Sequence, residues 1–383
     1  MKQSWFENDD ILTNILSRLP TKIVHRLKYV SKDWQNLTSN RSFIKHQLKR
    51  TEPVSGFFYQ EIIKRIGDIN EPIIYIPVGT ENFKTWHTVL NFLPEKVFVL
   101  SSNSGLLCCR SILPSCRVSI YICNPLNKQW TSIKWSNCLS TRSSIALACD
   151  PIQNPIDVST DFKLVAVSKG EDEQEPSFIF DVYSSKTGSW ARSNERRQCD
   201  HKIKKNKGVF VEGILYWLTD GYQILAFDPQ NELSWLVTAP LPTTHFSGVP
   251  ETCIGESHGK LNYVMISEEG LQVWALEDHT ASTWKLKTNI SLDDLEQENP
   301  VVLYKILEKV ANRVFKDMLA WFDPLAFKDG KLLVRVYLNI YLYDIGTRKL
   351  MKVLDDKQLG PNSLMDPVVL PYNMSLVPVE DQT

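Results

Sequence analysis

No apolar run in the chain approaches the ~18 residues that a membrane helix needs, so no membrane association is expected. The opening MKQSWFENDD carries acid where a signal peptide would be apolar, and no secretory leader is read there. The eight cysteines include no CxxC pair and fall in apolar, strand-like runs such as GLLCC and YIC. That spacing speaks against zinc and against a disulfide framework, and for small buried thiols in a reducing compartment. The Asn-x-Ser/Thr triplets at Asn36, Asn40, Asn289 and Asn373 then carry no glycan, because the secretory route is not taken. The seven histidines are scattered without metal-ligand spacing, and His87 and His245 read as ordinary surface or core residues. No phosphate loop, HExxH, calcium loop or dinucleotide fingerprint occurs. Neither a metal nor a cofactor is expected.

One string fits a catalytic pattern: Gly255-Glu256-Ser257-His258-Gly259 satisfies the GxSxG of hydrolase nucleophile elbows. That motif works through a strained strand-to-helix turn that exposes the serine, so a helix must follow. Here KLNYVMI follows, which reads as an apolar strand. Ser257 is therefore expected in a turn, and no catalytic residue is assigned.

What the sequence does contain points to a globular chain. Hydrophobic residues make up 43% and charged residues 23% of 383, too apolar for a disordered protein and too long for one ordinary core. A small domain, 1–50, and a large one, 51–383, are expected. The net charge of −1 conceals an asymmetry: residues 1–50 hold ten Lys/Arg against four Asp/Glu, and the remainder 33 against 40. A basic N-terminal piece suits an acidic protein partner or a nucleic acid, although a solvated helical face carries the same charge.

The first fifty residues read as four short helices. Asn8 can cap the first, with Asp9 and Asp10 in its first turn and Ile11, Leu12, Ile15, Leu16 and Leu19 at helical spacing before Pro20 stops it. Thr21 can cap a second bearing Val24 and Leu27. Ser31 can cap a third with Trp34 and Leu37 inward, and Ser42 opens a fourth that reaches Leu48. Helices this short cannot bury that much apolar surface among themselves. A permanent partner and a cap packed on the next domain are the two readings that remain.

The run ILTNILSRLPTKIVHRLKYVSKDWQNLTSNRSFIKHQLKR resembles the F-box in its plant form, through Leu16, Arg18, Leu19, Pro20, Lys22, Leu27, Val30, Ser31, Lys32, Trp34, Leu37 and Phe43. The resemblance implies docking on a Skp-type adaptor and, through it, on a cullin ubiquitin ligase, with no nucleic acid involved. It assigns Ile11, Leu12, Ile15, Leu16, Leu19, Pro20, Val24 and Leu27 to the adaptor interface, and Val30, Trp34 and Leu37 to the core of the helical unit. Glu7-Asn8 stands where F-boxes usually open with Leu-Pro, and Phe6 is the apolar residue at hand to replace that contact.

From residue 54 the pattern changes to short β-branched and aromatic runs between turn residues. SGLLCCRS (104–111), EGILYWLT (212–219), HGKLNYVMI (258–266) and DGKLLVRVY (329–337) each set Gly at a turn and Leu two positions later. Each is followed by a second unit: IYICNPLNKQW, ILAFDPQNELSW, LQVWALEDHTASTW and NIYLYDIGTRKLMKV. FKLVAVS with FIFDVYSSKTGSW adds a copy without the glycine. Trp130, Trp190, Trp235 and Trp284 close these units 60, 45 and 49 residues apart. A period of about 50 with four strands per unit predicts a kelch-like β-propeller of about six blades, with seven the alternative. The C-terminal run near Leu370–Val377 is expected to pair with early strands near Phe57–Tyr59 and close the ring.

Two stretches interrupt the repeat. Residues 195–207 hold Arg196, Arg197, Lys202, Lys204, Lys205 and Lys207 and read as a solvated basic loop, a nuclear-import or anion-binding patch being the alternative. Residues 299–319 read as a helix capped by Asn299, with Pro300 first and Leu303, Ile306, Leu307, Val310 and Val314 on one face. NSGLLCC, YICNPLNKQW, the 213–218 segment and the ending LPYNMSLVPV resemble the plant F-box-associated domain. That resemblance implies substrate recognition by the propeller and fixes no binding residues.

The expected function is therefore a non-catalytic one in cytoplasm and nucleus. The chain would be the substrate-recognition subunit of a Skp-cullin-F-box ubiquitin ligase, its propeller holding a target protein for ubiquitination. An F-box scaffold outside ubiquitination, and a propeller that binds or modifies a carbohydrate or small molecule, are the alternatives.

Overall fold

The computed structural model describes residues 9–50, 52–61, 72–79, 89–112, 118–136, 139, 143–153, 160–170, 172, 174–241, 250–306, 308, 322–355 and 367–379. Four helices come first: α1 (Asp9–Leu16), α2 (Thr21–Leu27), α3 (Lys32–Ser39) and α4 (Arg41–Leu48). Ser31 caps α3 as expected, its Oγ accepting from Trp34 N at 3.2 Å. Two other caps sit one or two residues earlier than expected. Pro20 with φ −54° precedes α2, and Asn40 caps α4 by accepting from Ser42 N at 2.8 Å. The expected Asn8 cap lies outside the described residues.

After these helices the described regular structure is β-strand, apart from one short helix and the helical residues Ile306 and Glu308. β1 (Gly56–Gln60) and β2 (Ile74–Pro77) are followed by β3 (Val97–Asn103), β4 (Leu106–Ser111), β5 (Ser119–Asn124) and β6 (Gln129–Lys134). Next come β7 (Ser144–Ala148), β8 (Lys163–Lys169), β9 (Ser177–Ser184) and β10 (Ser189–Gln198). β11 (Ile203–Val211), β12 (Ile214–Thr219), β13 (Gln223–Asp228) and β14 (Leu233–Thr238) form the following meander. β15 (Glu251–Ser257), β16 (Lys260–Ser267), β17 (Gly270–Asp278) and β18 (Thr283–Ile290) precede α5 (Leu292–Glu298). β19 (Asp323–Lys328), β20 (Lys331–Val336), β21 (Asn339–Asp344) and β22 (Lys349–Leu354) lead to β23 (Val368–Tyr372).

The turns explain why the chain folds into meanders. Ser104-Gly105, Glu212-Gly213, His258-Gly259 and Asp329-Gly330 all have positive φ at both positions. Each links its two strands by a two-residue loop, the primed turn whose twist suits a hairpin. The outer turn repeats as well. Lys128, Gly188, Glu232, Ser282 and Arg348 each take positive φ as the last residue of a four-residue loop. Trp130, Trp190, Trp235 and Trp284 then enter the outermost strand and sit half-buried against neighbouring rings, as Trp130 does on Tyr121 at 5.7 Å.

The first strand of each meander lies innermost. β3, β7, β11, β15 and β19 neighbour one another in that order, and β23 lies between β19 and β3. This is the arrangement of a propeller. β23 pairs antiparallel with β1, Phe58 opposite Leu370, as the sequence predicts, and β2 completes that three-stranded sheet. Two meanders are joined edge to edge where β15 and β19 run parallel over Gly255↔Phe327 and Glu256↔Lys328. Gly255 makes that approach possible, because a Cβ there would lie 2.0 Å from Phe327 O. Cores form between adjacent sheets, as where Phe180 stacks on Phe227 at 4.4 Å beside the fully buried Trp217.

The two expected interruptions of the repeat both change. The basic stretch 195–207 is no loop, because it supplies the end of β10 and the start of β11. Three of its charged side chains reach partners in other meanders. Arg197 donates to Ser234 Oγ at 3.1 Å, Lys204 to Thr252 Oγ1 at 3.2 Å and Lys207 to Leu325 O at 2.9 Å. In the segment expected as a helix, residues 299–305 form turns and bends, and helix is present at Ile306 and Glu308. α5 ends where it was to begin, with Ser291 as its N-cap and Asn299 as its C-cap. Asn299 instead ties α5 to the last meander, donating to Arg348 O at 3.0 Å and accepting from Leu350 N at 2.8 Å. Leu303 and Ile306 are buried as expected, and most of the remainder of that segment lies outside the described residues.

Candidate functional site

The helical unit has an inside and an outside that the sequence divides differently from the structure. Leu16 and Val24 are 4% and 0% exposed and share a core with Phe43 and Ile44. That core continues into Leu106, Cys108, Ile120 and Ile122 of β4 and β5, and into Leu376, Val377 and Val379 after β23. The helices are thus seated on the β domain, and Leu16 and Val24 leave no surface for a partner. Leu12, Leu19, Leu27, Trp34 and Leu37 are half-buried, Leu19, Leu27, Trp34 and Leu37 against the same core.

The outer surface is apolar. Ile11 and Ile15 of α1 are 57% and 55% exposed, Pro20 is exposed, and Ile23 of α2 lies beside them in sequence. Tyr29 and Val30, between α2 and α3, are 81% and 65% exposed. Val30, expected in the core, is therefore outside. It lies in the turn just before the Ser31 cap, donating to Leu27 O at 3.0 Å, and Phe43 and Ile44 from α4 fill the interior in its place. Among this apolar surface stand the exposed Arg18, Lys22, Arg26, Lys32 and Arg41. Such a surface fits a partner that offers apolar contacts and negative charge together. Burial, followed by the neighbouring Lys28, lowers the pKa of His25 on α2, which keeps the imidazole neutral.

A cavity lies among the inner strands beside α4. It encloses about 620 Å³ and is walled by Ile44, Gln47 and Leu48 of α4 and by the inner strands. Its volume is that of a ligand site, and its carboxylates Glu256 and Glu52 accept hydrogen bonds from within the protein. Glu256 accepts from Gly259 N at 2.8 Å and from Lys328 Nζ, and Glu52 accepts from Thr21 N at 2.9 Å. Burial pushes the Asp329 carboxyl up from its ordinary value at the same mouth. Ser257 ends β15 opposite Lys260, and His258-Gly259 forms the hairpin between them. The GxSxG string therefore makes a strand-to-strand turn, without the elbow geometry. Among the described residues no three His, Cys, Asp or Glu side chains converge as a metal site would require.

These two parts, a basic helical unit with an apolar outside and a propeller with a cavity among its inner strands, are matched by known families. A model described as "F-box domain" matches residues 8–46, and one described as "F-box protein At3g26010-like, beta-propeller" matches residues 85–310. The chain belongs to that family of plant F-box proteins with a C-terminal propeller. It is similar to the Arabidopsis thaliana F-box protein At5g49610, 28% identical over 301 residues that cover 74% of this chain and 79% of the relative. It is also similar to F-box protein At3g26010 of the same plant, 24% identical over 305 residues covering 75% and 69%.

Within the F-box, sequence reasoning identifies the exposed Ile11, Ile15 and Pro20 but misses Ile23 and Tyr29, which are exposed as well. Tyr29 lies just past the end of α2, so helical spacing gives it no inner or outer face. The seat on the propeller is invisible to periodicity, because it joins the helices to β4, β5 and the distant Leu376 and Val377.

Proposed function

We propose that this F-box protein is the substrate receptor of a Skp-cullin-F-box ubiquitin ligase. Its F-box would dock on a Skp-type adaptor and, through it, a cullin, and its propeller would hold the target protein. The observation that carries this reading is the apolar surface left open by Ile11, Ile15, Tyr29 and Val30 on an otherwise seated helical unit. Exposed apolar area of this kind is costly to maintain unless a partner covers it. The chain itself is non-catalytic in this reading and acts in cytoplasm and nucleus without contacting nucleic acid. The recurring glycine turns and tryptophans support a kelch-like propeller. We read it as six blades, with the β15–β22 sheet counted as two and the β1–β2–β23 sheet as the closing one. Residues 1–50 and 51–383 are the two domains in this scheme.

Co-expression with a Skp-type adaptor tests the docking. The unmodified chain should capture the adaptor, and Ile11→Asp/Ile15→Asp should lose at least ~100-fold in affinity, since two apolar anchors are replaced by charges facing a negative partner. Its thermal transition should stay in place, because both side chains are exposed. Equal capture by the variant would remove these residues from the interface.

A further inference from the structure

The outer turn of three meanders opens with an aspartate. Asp228 Oδ1 accepts from Gln230 N at 2.7 Å, Asp278 Oδ1 from Thr280 N at 2.7 Å, and Asp344 Oδ1 from Gly346 N at 3.0 Å. The β5–β6 turn holds Asn124 at the same place, opposite Gln129. Asn124 Oδ1 performs the same task, accepting from Leu126 N at 2.9 Å. Its Nδ2 performs a second one, donating to Ser375 O at 2.9 Å and to Val377 O at 2.8 Å. An aspartate would serve the turn but has no hydrogen to give to two carbonyls. The amide at this one repeat position is explained by the tail that crosses it.

That tail is held along its length. Asn373 donates to Glu52 O at 3.1 Å and Met374 N to Ser55 Oγ at 2.9 Å. Gly105 lets Ser375 approach so closely that a Cβ there would lie 2.1 Å from Ser375 Cβ. Leu376, Val377 and Val379 are 2%, 0% and 4% exposed, in one core with Leu16, Val24, Phe43 and Ile44 of the F-box. Helices of seven or eight residues cannot make such a core alone, so the tail is part of it.

We infer that Asn124 is a positioning residue for the F-box: with the tail at 375–379 it seats the helices on the propeller and sets the direction in which Ile11, Ile15 and Tyr29 face. The adaptor-facing part of this inference rests on the ligase reading, whereas the seat itself does not. Asn124→Asp is the discriminating change. It restores the residue that three other turns already use, so the meander keeps its turn, while both donors to the tail are lost.

Hydrogen exchange of the full chain, with and without the adaptor, supplies the test. In Asn124→Asp, exchange of the α1–α4 amides should quicken by roughly tenfold or more, as two buried hydrogen bonds are removed. Amides of β8–β22 should keep their protection, and adaptor capture should weaken in step with the helices. A chain ending at Met374 should show the same pattern more strongly. Unchanged protection of the helices in both variants would overturn the inference. So would loss of protection throughout the propeller, since Asn124 would then serve the β fold and not the F-box. Loosened helices in a chain whose unmodified form captures no adaptor would leave the seat standing and remove the ligase reading.

Discussion

Phe58 in the first strand of the propeller lies opposite Leu370 in the last, and Gly56 lies opposite Tyr372 two rungs further on. The ring is therefore held shut by its two ends, and Phe58 meets Tyr372 edge to face at 5.1 Å. Closure of this kind removes the free inner edge of a strand that would otherwise recruit another chain.

Leu370→Asp tests that closure. Leu370 is buried, so an unpaired carboxylate placed there should cost at least ~3 kcal/mol and leave a protein that aggregates on mild warming. Leu233→Asp, at an exposed position, should move the urea midpoint little. Similar midpoints for the two variants would show that the β1–β23 pair does not hold the ring.

The Gly255–Ser257 segment separates a structural demand from a chemical one. Gly255→Ala should destabilise the protein by ~1–3 kcal/mol in denaturant unfolding, because its new methyl meets Phe327 O where β15 and β19 join. Ser257→Ala should stay within ~0.5 kcal/mol and leave function intact, since this serine only ends a hairpin strand. A hydrolytic activity lost in Ser257→Ala would make the serine a nucleophile.

Burial sets the behaviour of the thiols. Cys108, Cys109, Cys123, Cys149, Cys199 and Cys253 are buried thiols. Burial raises the Cys149 thiol from 9.0 to about 12 and the Tyr216 hydroxyl from 10.0 to about 12, and pushes Cys108 upward too. In each case the neutral form is favoured by folding, so the native state holds protons that the unfolded chain has already released. Stability should therefore be flat near neutrality and fall as pH rises above about 9. Maleimide at pH 7 should leave these six thiols unlabelled in the native protein and label them after denaturation without reductant. Rapid native labelling of Cys149, or stability that rises from pH 9 to 10.5, would contradict this.

The propeller was readable because its signals are local. A two-residue turn needs positive φ twice, so glycine recurs where Gly105, Gly213, Gly259 and Gly330 stand. The tryptophans recur because the outer strand always begins beside the same turn. What escaped the sequence depends on distant partners. Lys204 and Lys207 look like loop residues until Thr252 and Leu325 are placed beside them. Asn299 looks like an N-cap until Arg348 and Leu350 claim its amide. Leu16 and Val24 carry the same helical spacing as Ile15, and packing against α4, β4, β5 and the tail after β23 decides that they face inward. The cavity beside α4 has no sequence signal at all, because each inner strand contributes only a few residues to it.

Affinity capture of the tagged chain from plant cells, with the proteasome inhibited, tests the central claim most directly. The unmodified chain should bring down a Skp-type adaptor, a cullin and a ubiquitinated target protein. Ile11→Asp/Ile15→Asp should retain the target through its propeller while losing adaptor and cullin, and the target should accumulate without ubiquitin. An unmodified chain that brings down neither adaptor nor cullin would contradict the ligase reading, and so would a target whose ubiquitination survives in the variant.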